Sequence, residues 1–212
     1  MNKPQITIKD IARALNVSPS TVSRALKDNP DISKDTRDLI HAYAQEHNYK
    51  PNALAINLRA SRSNTIGVIV PQLVHHFFSC VLSGIETAAT KAGYNILLAQ
   101  SNESYEQEVV IVHSFLAARV CGVIASLAKE TSHYEHYQEL LDNNIPIVFY
   151  DRICTGLKTE RVVVDDYAGS FAAVEYMIQT GCKRILFYGA DPHLEITKNR
   201  RNGYLDADRK SV

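Results

Sequence analysis

The stretch that most constrains the fold of this chain is residues 6–26, ITIKDIARALNVSPSTVSRAL, which can be read position by position as two short helices joined by a tight turn. Thr7 is placed to cap the first helix, with Asp10 as the acidic partner of a capping box. Apolar residues then recur at the helical spacing of three and four. Asn16 tolerates the left-handed backbone that a sharp helix end requires, so the turn is predicted there.

The second helix of this pair has one apolar face and one small polar face. Ser18 followed by Pro19 predicts its start, because the hydroxyl caps the helix and proline presets its first residue. The polar face consists of Ser20, Thr21, Ser23 and Arg24. Such a face suits a helix in the DNA major groove, where hydroxyls reach base edges or phosphates and Arg binds a guanine edge. An ordinary surface helical hairpin is the alternative that this pattern leaves open.

A third helix and an uneven charge distribution support the DNA-binding interpretation. The helix is predicted from Ser33 to about His47, and its expected inner residues are Leu39, Ile40, Tyr43 and Ala44. Residues 1–62 carry ten Lys and Arg against six Asp and Glu, whereas residues 63–212 carry thirteen against seventeen. A basic head on an acidic body indicates a nucleic-acid contact at the amino terminus.

The segment after this bundle, residues 51–64, is interpreted as a hinge helix and linker. A helix of about seven residues is unstable alone, because its nucleation cost is not recovered. Its partner could be a second subunit or the DNA minor groove, where Leu58 could wedge between bases while Arg59 meets the backbone. A loosely structured linker is the alternative.

From Thr65 onward, apolar runs alternate with amphipathic segments. The predicted strands are 66–71, 94–100, 121–126, 145–151, 161–166 and 184–189, and the predicted helices between them lie at about 78–92, 104–118, 133–143 and 167–179. Continuous apolar strands alternating with helices indicate a doubly wound α/β domain with a parallel sheet. Such domains bind ligands at the carboxyl ends of the strands. His75 to Phe78 and Asp151-Arg152 lie there, although Phe78 could equally be core.

Composition and motifs narrow the function classes further. No apolar run approaches 18 residues and the amino terminus lacks the apolar core of a signal peptide, so a cytoplasmic protein is expected. The four cysteines are predicted to be buried free thiols: Cys80, Cys121, Cys154 and Cys182. His133 and His136 could share a helix face, but no third metal ligand is in view. The absence of nucleotide-binding and nucleophile-elbow motifs disfavours an enzyme, and no cofactor is expected.

Four segments together resemble the DNA-binding head, hinge and first strand of the LacI/GalR family of bacterial transcription regulators: T-I-K-D-I-A, N-V-S-P-S-T-V-S-R-A-L, Y-K-P-N-A-L-A and N-T-I-G-V-I-V. The resemblance is close over residues 6–70 and looser to about Gly203. It implies base-reading positions at Pro19, Ser20 and Arg24, phosphate contacts at Ser18, Thr21 and Ser23, and an intercalating Leu58. The predicted DNA-contacting set is Thr7, Ser18, Pro19, Ser20, Thr21, Ser23, Arg24, Asn52, Ala55, Leu58 and Arg59.

The resemblance also implies an effector site, and the chain departs from the family pattern at two places. Phe77 and Phe78 resemble the family's ligand-stacking pair, Asp151 resembles a polar effector contact, and Arg200 resembles the arginine that holds polar effectors. Asn16 stands where glycine is usual, and Ile56-Asn57 replaces the more frequent Arg-Ser of the hinge. The second change removes one cation from the DNA-facing side.

These inferences give an expected architecture and function. The expected parts are a helix-turn-helix head (1–50), a hinge (51–64), a first α/β lobe (65–160) and a partial second lobe (161–212). The family would continue for about 120 more residues, so a truncated member is expected, with 160–212 poorly packed; one compact six-stranded domain is the rival interpretation.

The expected function is sequence-specific repression of transcription. The expected partners are a pseudo-palindromic DNA operator, a second copy as in full-length relatives, and a sugar or nucleobase effector. The alternatives are a DNA-binding fragment without effector response and a periplasmic-type sugar binder, which would leave residues 6–60 unexplained.

Overall fold

The computed structural model describes residues 6–49 and 63–209 of the chain, which divides into two compact units, residues 1–59 and 60–212. Four of the predicted DNA-contacting residues lie outside the described residues: Asn52, Ala55, Leu58 and Arg59.

Residues 6–49, the described part of the first unit, contain three helices: α1 (Ile8–Ala14), α2 (Pro19–Ala25) and α3 (Lys34–Glu46). They surround a small core of Ile11, Ala12, Val22, Ala25, Ile40 and Ala44. The expectation that Leu39 lies in this core is wrong, since 55% of its surface is exposed. The core surrounds Ile40 and Ala44 of α3, and Leu39 lies at the edge of the apolar face.

Local side-chain contacts start each helix of this unit as predicted. The Thr7 hydroxyl accepts from Asp10 N at 3.3 Å, and the Asp10 carboxylate accepts from Thr7 N at 3.0 Å, which is the predicted capping box. Ser18 and Ser33 cap α2 and α3 in the same way. Asn16 has a φ of 51°, so it supplies the left-handed residue at the turn between α1 and α2.

The second unit contains a five-stranded parallel sheet in the order β2-β1-β3-β4-β5. Its strands are β1 (Thr65–Val70), β2 (Asn95–Gln100), β3 (Gly122–Ala125), β4 (Ile147–Tyr150) and β5 (Glu160–Val162). Its helices are α4 (His76–Lys91), α5 (Tyr105–Ala118), α6 (Glu135–Asp142), α7 (Asp166–Gln179) and α8 (Glu195–Arg209). Parallel strands with intervening helices are the predicted doubly wound arrangement, with only part of a second lobe.

The main core lies between one face of this sheet and helices α5 and α6. Val123, Ile147 and Phe149 point from neighbouring strands into a cluster with Phe115 of α5 and residues of α6. A methyl group on Gly67 of β1 would collide with the Phe115 ring, so glycine is required for this close approach. On the opposite face, Phe78 and Ala89 are the buried residues of α4.

The structure corrects three expectations about residues 161–212. Residues 184–189 form no strand, and Leu186 and Tyr188 are 89% and 97% exposed. The strand predicted at 161–166 is β5 (Glu160–Val162), which begins one residue earlier and ends four residues earlier than expected. Residues 160–212 were expected to be poorly packed, but α8 packs against α7, and a methyl group on Gly203 would collide with the Tyr167 backbone there.

The described residues contain neither a candidate membrane-spanning helix nor a disulfide. Within residues 6–49 and 63–209, no helix is long and apolar enough to cross a lipid bilayer. All four cysteines are free, but the expectation of burial holds fully only for Cys154. Cys80 and Cys182 are exposed, because both lie on helix or loop surfaces that no other described element covers.

Candidate functional site

The polar face of α2 carries a compact cluster of three hydroxyl groups at its amino end. The Ser18 hydroxyl lies 2.7 Å from the Ser20 hydroxyl and 2.8 Å from the Thr21 hydroxyl, and it accepts from Thr21 N at 3.1 Å. The helix amino terminus adds partial positive charge at the same place. Hydroxyls beside a helix amino terminus can donate to phosphate oxygens or base edges, so this face is suited to a polyanion.

Arg24 lies one turn further along the same helix and is exposed. Its side chain makes no hydrogen bond or ion pair with any residue that the structure describes. An uncommitted guanidinium keeps all five donors for an external acceptor. Thr7 and Pro19 are exposed as well, and Ser23 is half-buried.

At the carboxyl ends of β1 and β4, the predicted effector residue Phe78 packs against Tyr150 and Arg152. Phe78 is 4% exposed, and its ring lies 6.3 Å from the Tyr150 ring at the end of β4. The Arg152 guanidinium lies over the Phe78 ring at 5.6 Å. Phe77 is 51% exposed and contacts Phe78 edge to face at 5.2 Å. The two phenylalanines therefore differ in role: Phe78 belongs to the wall of this region, and Phe77 faces solvent.

Glu103, in the loop after β2, joins the loops after β3 and β4. Its carboxylate accepts from Arg152 Nη1 at 2.6 Å and from Lys129 N at 2.9 Å. Arg152 also donates to Leu127 O at 3.3 Å. The loops at the carboxyl ends of β2, β3 and β4 are thus held together by one carboxylate, at the edge where a ligand of a doubly wound sheet is expected.

Asp151 follows β4, and Arg200 pairs with Asp166, which follows the neighbouring strand β5, so both residues lie at the carboxyl ends of adjacent strands. Burial raises the pKa of Asp151, while the nearby Arg152 and Arg200 guanidinium groups lower it and Asp166 raises it. Arg200 Nε donates to Asp166 Oδ1 at 2.7 Å, so this guanidinium is already paired inside the protein. The structure therefore brings Phe78, Asp151 and Arg200 to one edge of the sheet.

A different cavity lies at the opposite edge of the sheet. Its volume is about 430 Å³, and its lining includes Ile66, Tyr94, Ile124 and Pro146. These residues lie at the amino ends of the strands, and no predicted effector residue lines this cavity. Because ligands of doubly wound sheets bind at the carboxyl ends of the strands, we place the candidate effector site there and not in this cavity.

Sequence reasoning missed Glu103 and Asp166 at this edge of the sheet and assigned no role to Arg152. Glu103 follows the carboxyl end of β2, and the positional argument that selected Asp151 after β4 would have selected Glu103 as well. Arg152 was noted only as a neighbour of Asp151, and Asp166 was missed because the end of β5 was placed too late. His136 is bonded to the buried Glu108, while His133 is exposed, so the two imidazoles do not converge.

Two family models match almost the whole described chain. The model described as bacterial regulatory proteins, lacI family, matches residues 7–52. The model described as periplasmic binding proteins and sugar binding domain of LacI family matches residues 63–211. The two matches correspond to the two compact units.

Curated relatives and solved structures give the same picture. The chain is 33% identical to the catabolite control protein A of Priestia megaterium over 86% of the chain and 54% of that protein. It is 32% identical to the ribose operon repressor of Bacillus subtilis strain 168 over 94% of the chain and 59% of that protein. A crystal structure of the lac repressor dimer bound to operator and an anti-inducer shares the fold, with a TM-score of 0.82 and 23% identity over 97% of the chain and 62% of that structure. The chain therefore spans less than two thirds of the length of these relatives.

Proposed function

Because the chain belongs to the LacI family of bacterial regulatory proteins, we propose that it regulates transcription by binding a specific DNA sequence through α2. We also propose the division into a head (1–50), a hinge (51–64), a first lobe (65–160) and a partial second lobe (161–212). The named relatives are regulators and repressors, and we propose a cytoplasmic repressor without enzymatic activity.

The observation that carries this proposal is the polar face of α2. Its hydroxyl cluster at Ser18 supplies contacts that position a phosphate backbone, and the uncommitted Arg24 supplies a fork of donors that matches a guanine edge. Phosphate contacts give affinity for any duplex, whereas base contacts give preference. A face that contains both kinds of group is what sequence-specific binding needs.

We propose that two copies bind a pseudo-palindromic operator, with a hinge contributed by Asn52, Ala55, Leu58 and Arg59. One similar structure is described as a repressor dimer bound to operator. Two copies related by a two-fold axis read two half-sites of opposite orientation, so symmetry in the protein predicts symmetry in the DNA.

For the second unit we propose a small-molecule effector, a sugar or a nucleobase. One relative is named as the repressor of a ribose operon. In this chain, the half-buried Asp151 could accept hydrogen bonds from ligand hydroxyls, and Phe77 could cover an apolar ligand face.

A second candidate is a DNA-binding fragment that does not respond to a ligand. It is favoured by the pairing of Arg200 with Asp166, which occupies the guanidinium expected to hold the effector. The exposed apolar residues of the partial second lobe, such as Leu186 and Tyr188, also support it.

Selection of bound duplexes from a random pool, at a stated salt concentration, tests the proposal. We expect an enriched sequence with two-fold symmetry. Enrichment of an asymmetric site would overturn the two-copy arrangement, and a pool without any enrichment would overturn sequence-specific binding. Adding sugars or nucleosides to the selected complex separates the two candidates, because only the first predicts a change in affinity.

A further inference from the structure

The carboxyl end of α2 is held by a side chain from another helix. His41 of α3 places Nε2 3.1 Å from Ala25 O and 3.1 Å from Asp28 Oδ1. Both partner atoms are acceptors, so Nε2 carries a hydrogen and donates to them. Arg37 of α3 adds a second contact, donating from Nη1 to Asp28 O at 3.2 Å.

This end of the helix needs an external contact because α2 is short. It has seven residues, and a helix of this length is not stable by itself. Its amino end is fixed by the Ser18 cap, and its middle by burial of Val22 and Ala25. At its carboxyl end the chain leaves the helix through Asp28, which has a φ of 52°, an unfavourable region for a residue other than glycine.

The held atom is adjacent to the residue that we propose reads a base. Arg24 immediately precedes Ala25, whose carbonyl accepts from His41. A binding side chain must be held to within about 0.5 Å and about 10–20° for productive geometry. A shift of about 1 Å at this end tilts a helix of about 10 Å by only about 6°, but the shift itself is larger than the positional tolerance of about 0.5 Å.

We propose that His41 is a positioning residue for DNA recognition, which sets the orientation of α2 and hence of the Arg24 guanidinium. This inference rests on the proposed function. The other role for His41 is to satisfy a helix carbonyl without affecting recognition, and the two roles predict different results for specific and random DNA.

The test compares variants of the full chain on two duplexes of equal length. One duplex carries the sequence selected by the wild-type protein, and the other carries a random sequence. His41→Ala removes the donor, and His41→Gln restores an N–H donor near the same position. The matched control is His47→Ala, since His47 directly follows α3, and its contacts are local: its ring bonds Tyr43 O and stacks on the Tyr43 ring at 4.1 Å.

We expect His41→Ala to lower the ratio of specific to random affinity about tenfold, as the loss of about one shared hydrogen bond implies. Random-duplex affinity should change less than about twofold, because the hydroxyl cluster proposed to contact phosphate lies at the amino end of α2, which the Ser18 cap holds without His41. His41→Gln should recover most of the ratio, and His47→Ala should match the wild type.

Three results would overturn the inference. The first is an equal loss of affinity for both duplexes in His41→Ala, and the second is an unchanged ratio of specific to random affinity in that variant. The third is a ratio that stays low in His41→Gln although the helical circular dichroism of this variant is that of the wild type. Failure of the proposed function looks different, because the wild-type protein itself would then show no preference between the two duplexes.

Discussion

Replacement of Glu108 by leucine should severely destabilise the second unit. Glu108 is fully buried on α5, and its carboxyl oxygens accept from Ala128 N at 2.5 Å, Thr131 Oγ1 at 2.8 Å and His136 Nε2 at 3.2 Å. Leucine fills a similar volume but accepts no hydrogen bond. The substitution therefore leaves three donors buried without a partner.

The magnitude follows from those three donors. A buried donor left unsatisfied costs about 1–3 kcal/mol, so the three together cost at least about 3 kcal/mol. Rotation of the Thr131 hydroxyl reduces the upper bound, and we expect about 3–5 kcal/mol. The whole free energy of unfolding of a domain is only about 5–15 kcal/mol, so this is a large part of it. Glu108→Gln keeps one acceptor and should lose about half as much.

Urea unfolding measures this loss. The chain has eleven tyrosines and no tryptophan, so tyrosine signals can be followed, and the Tyr137 ring lies 4.2 Å from the His136 ring in the affected region. The control is Glu106→Leu, because Glu106 is exposed two residues earlier on α5. A loss below about 1 kcal/mol in Glu108→Leu, or a loss equal to that of the control, would refute the reasoning. If Glu108→Leu does not fold, Glu108→Gln still gives a measurable value.

Three other substitutions test the remaining features. In binding titrations, Arg24→Ala should lose about 1–3 kcal/mol of binding free energy on the selected duplex and little on random DNA. Equal losses on the two duplexes would show that Arg24 contacts only phosphate. Gly203→Ala should destabilise the contact of α8 with α7 by about 1–3 kcal/mol, measured by amide exchange in α7, because the new methyl collides with the Tyr167 backbone. Unchanged exchange would contradict that close approach. Burial raises the pKa of Asp151, so its protonated form is favoured in the folded state and stability is lost as pH rises through that raised pKa. Between about pH 3 and about pH 7, the free energy of unfolding measured in urea should fall less in Asp151→Asn than in the wild type. If the two plots of unfolding free energy against pH are parallel, Asp151 does not contribute to this pH dependence.

The parts of the fold that could be predicted from sequence are those set by neighbouring residues. The caps at Thr7, Ser18 and Ser33 each depend on a backbone N–H three residues away, so the sequence contains all participants. The same holds for the left-handed Asn16. The parallel sheet was predictable because its first four strands contain apolar runs that alternate with helical segments.

The parts that could not be predicted depend on partners distant in sequence. Residues 184–189 have the composition of a strand, but a strand exists only where another strand pairs with it, and none of the described residues does so. Glu108 has the composition of a solvent-exposed helix position, and its burial depends on donors 20 to 28 residues further along the chain. The link from His41 to Ala25 spans 16 residues and has no local signature.

The ion pair between Arg200 and Asp166 would set the sensitivity of any response at this edge of the sheet. A small molecule that uses the guanidinium must first displace the Asp166 carboxylate, which lies 2.7 Å from Arg200 Nε, and this competition raises the concentration needed for half-saturation. The concentration needed for a response would then depend on the strength of the Arg200–Asp166 ion pair as well as on the small molecule's own contacts. A change at Asp166 could therefore adjust this concentration without altering a single atom that touches the molecule being sensed.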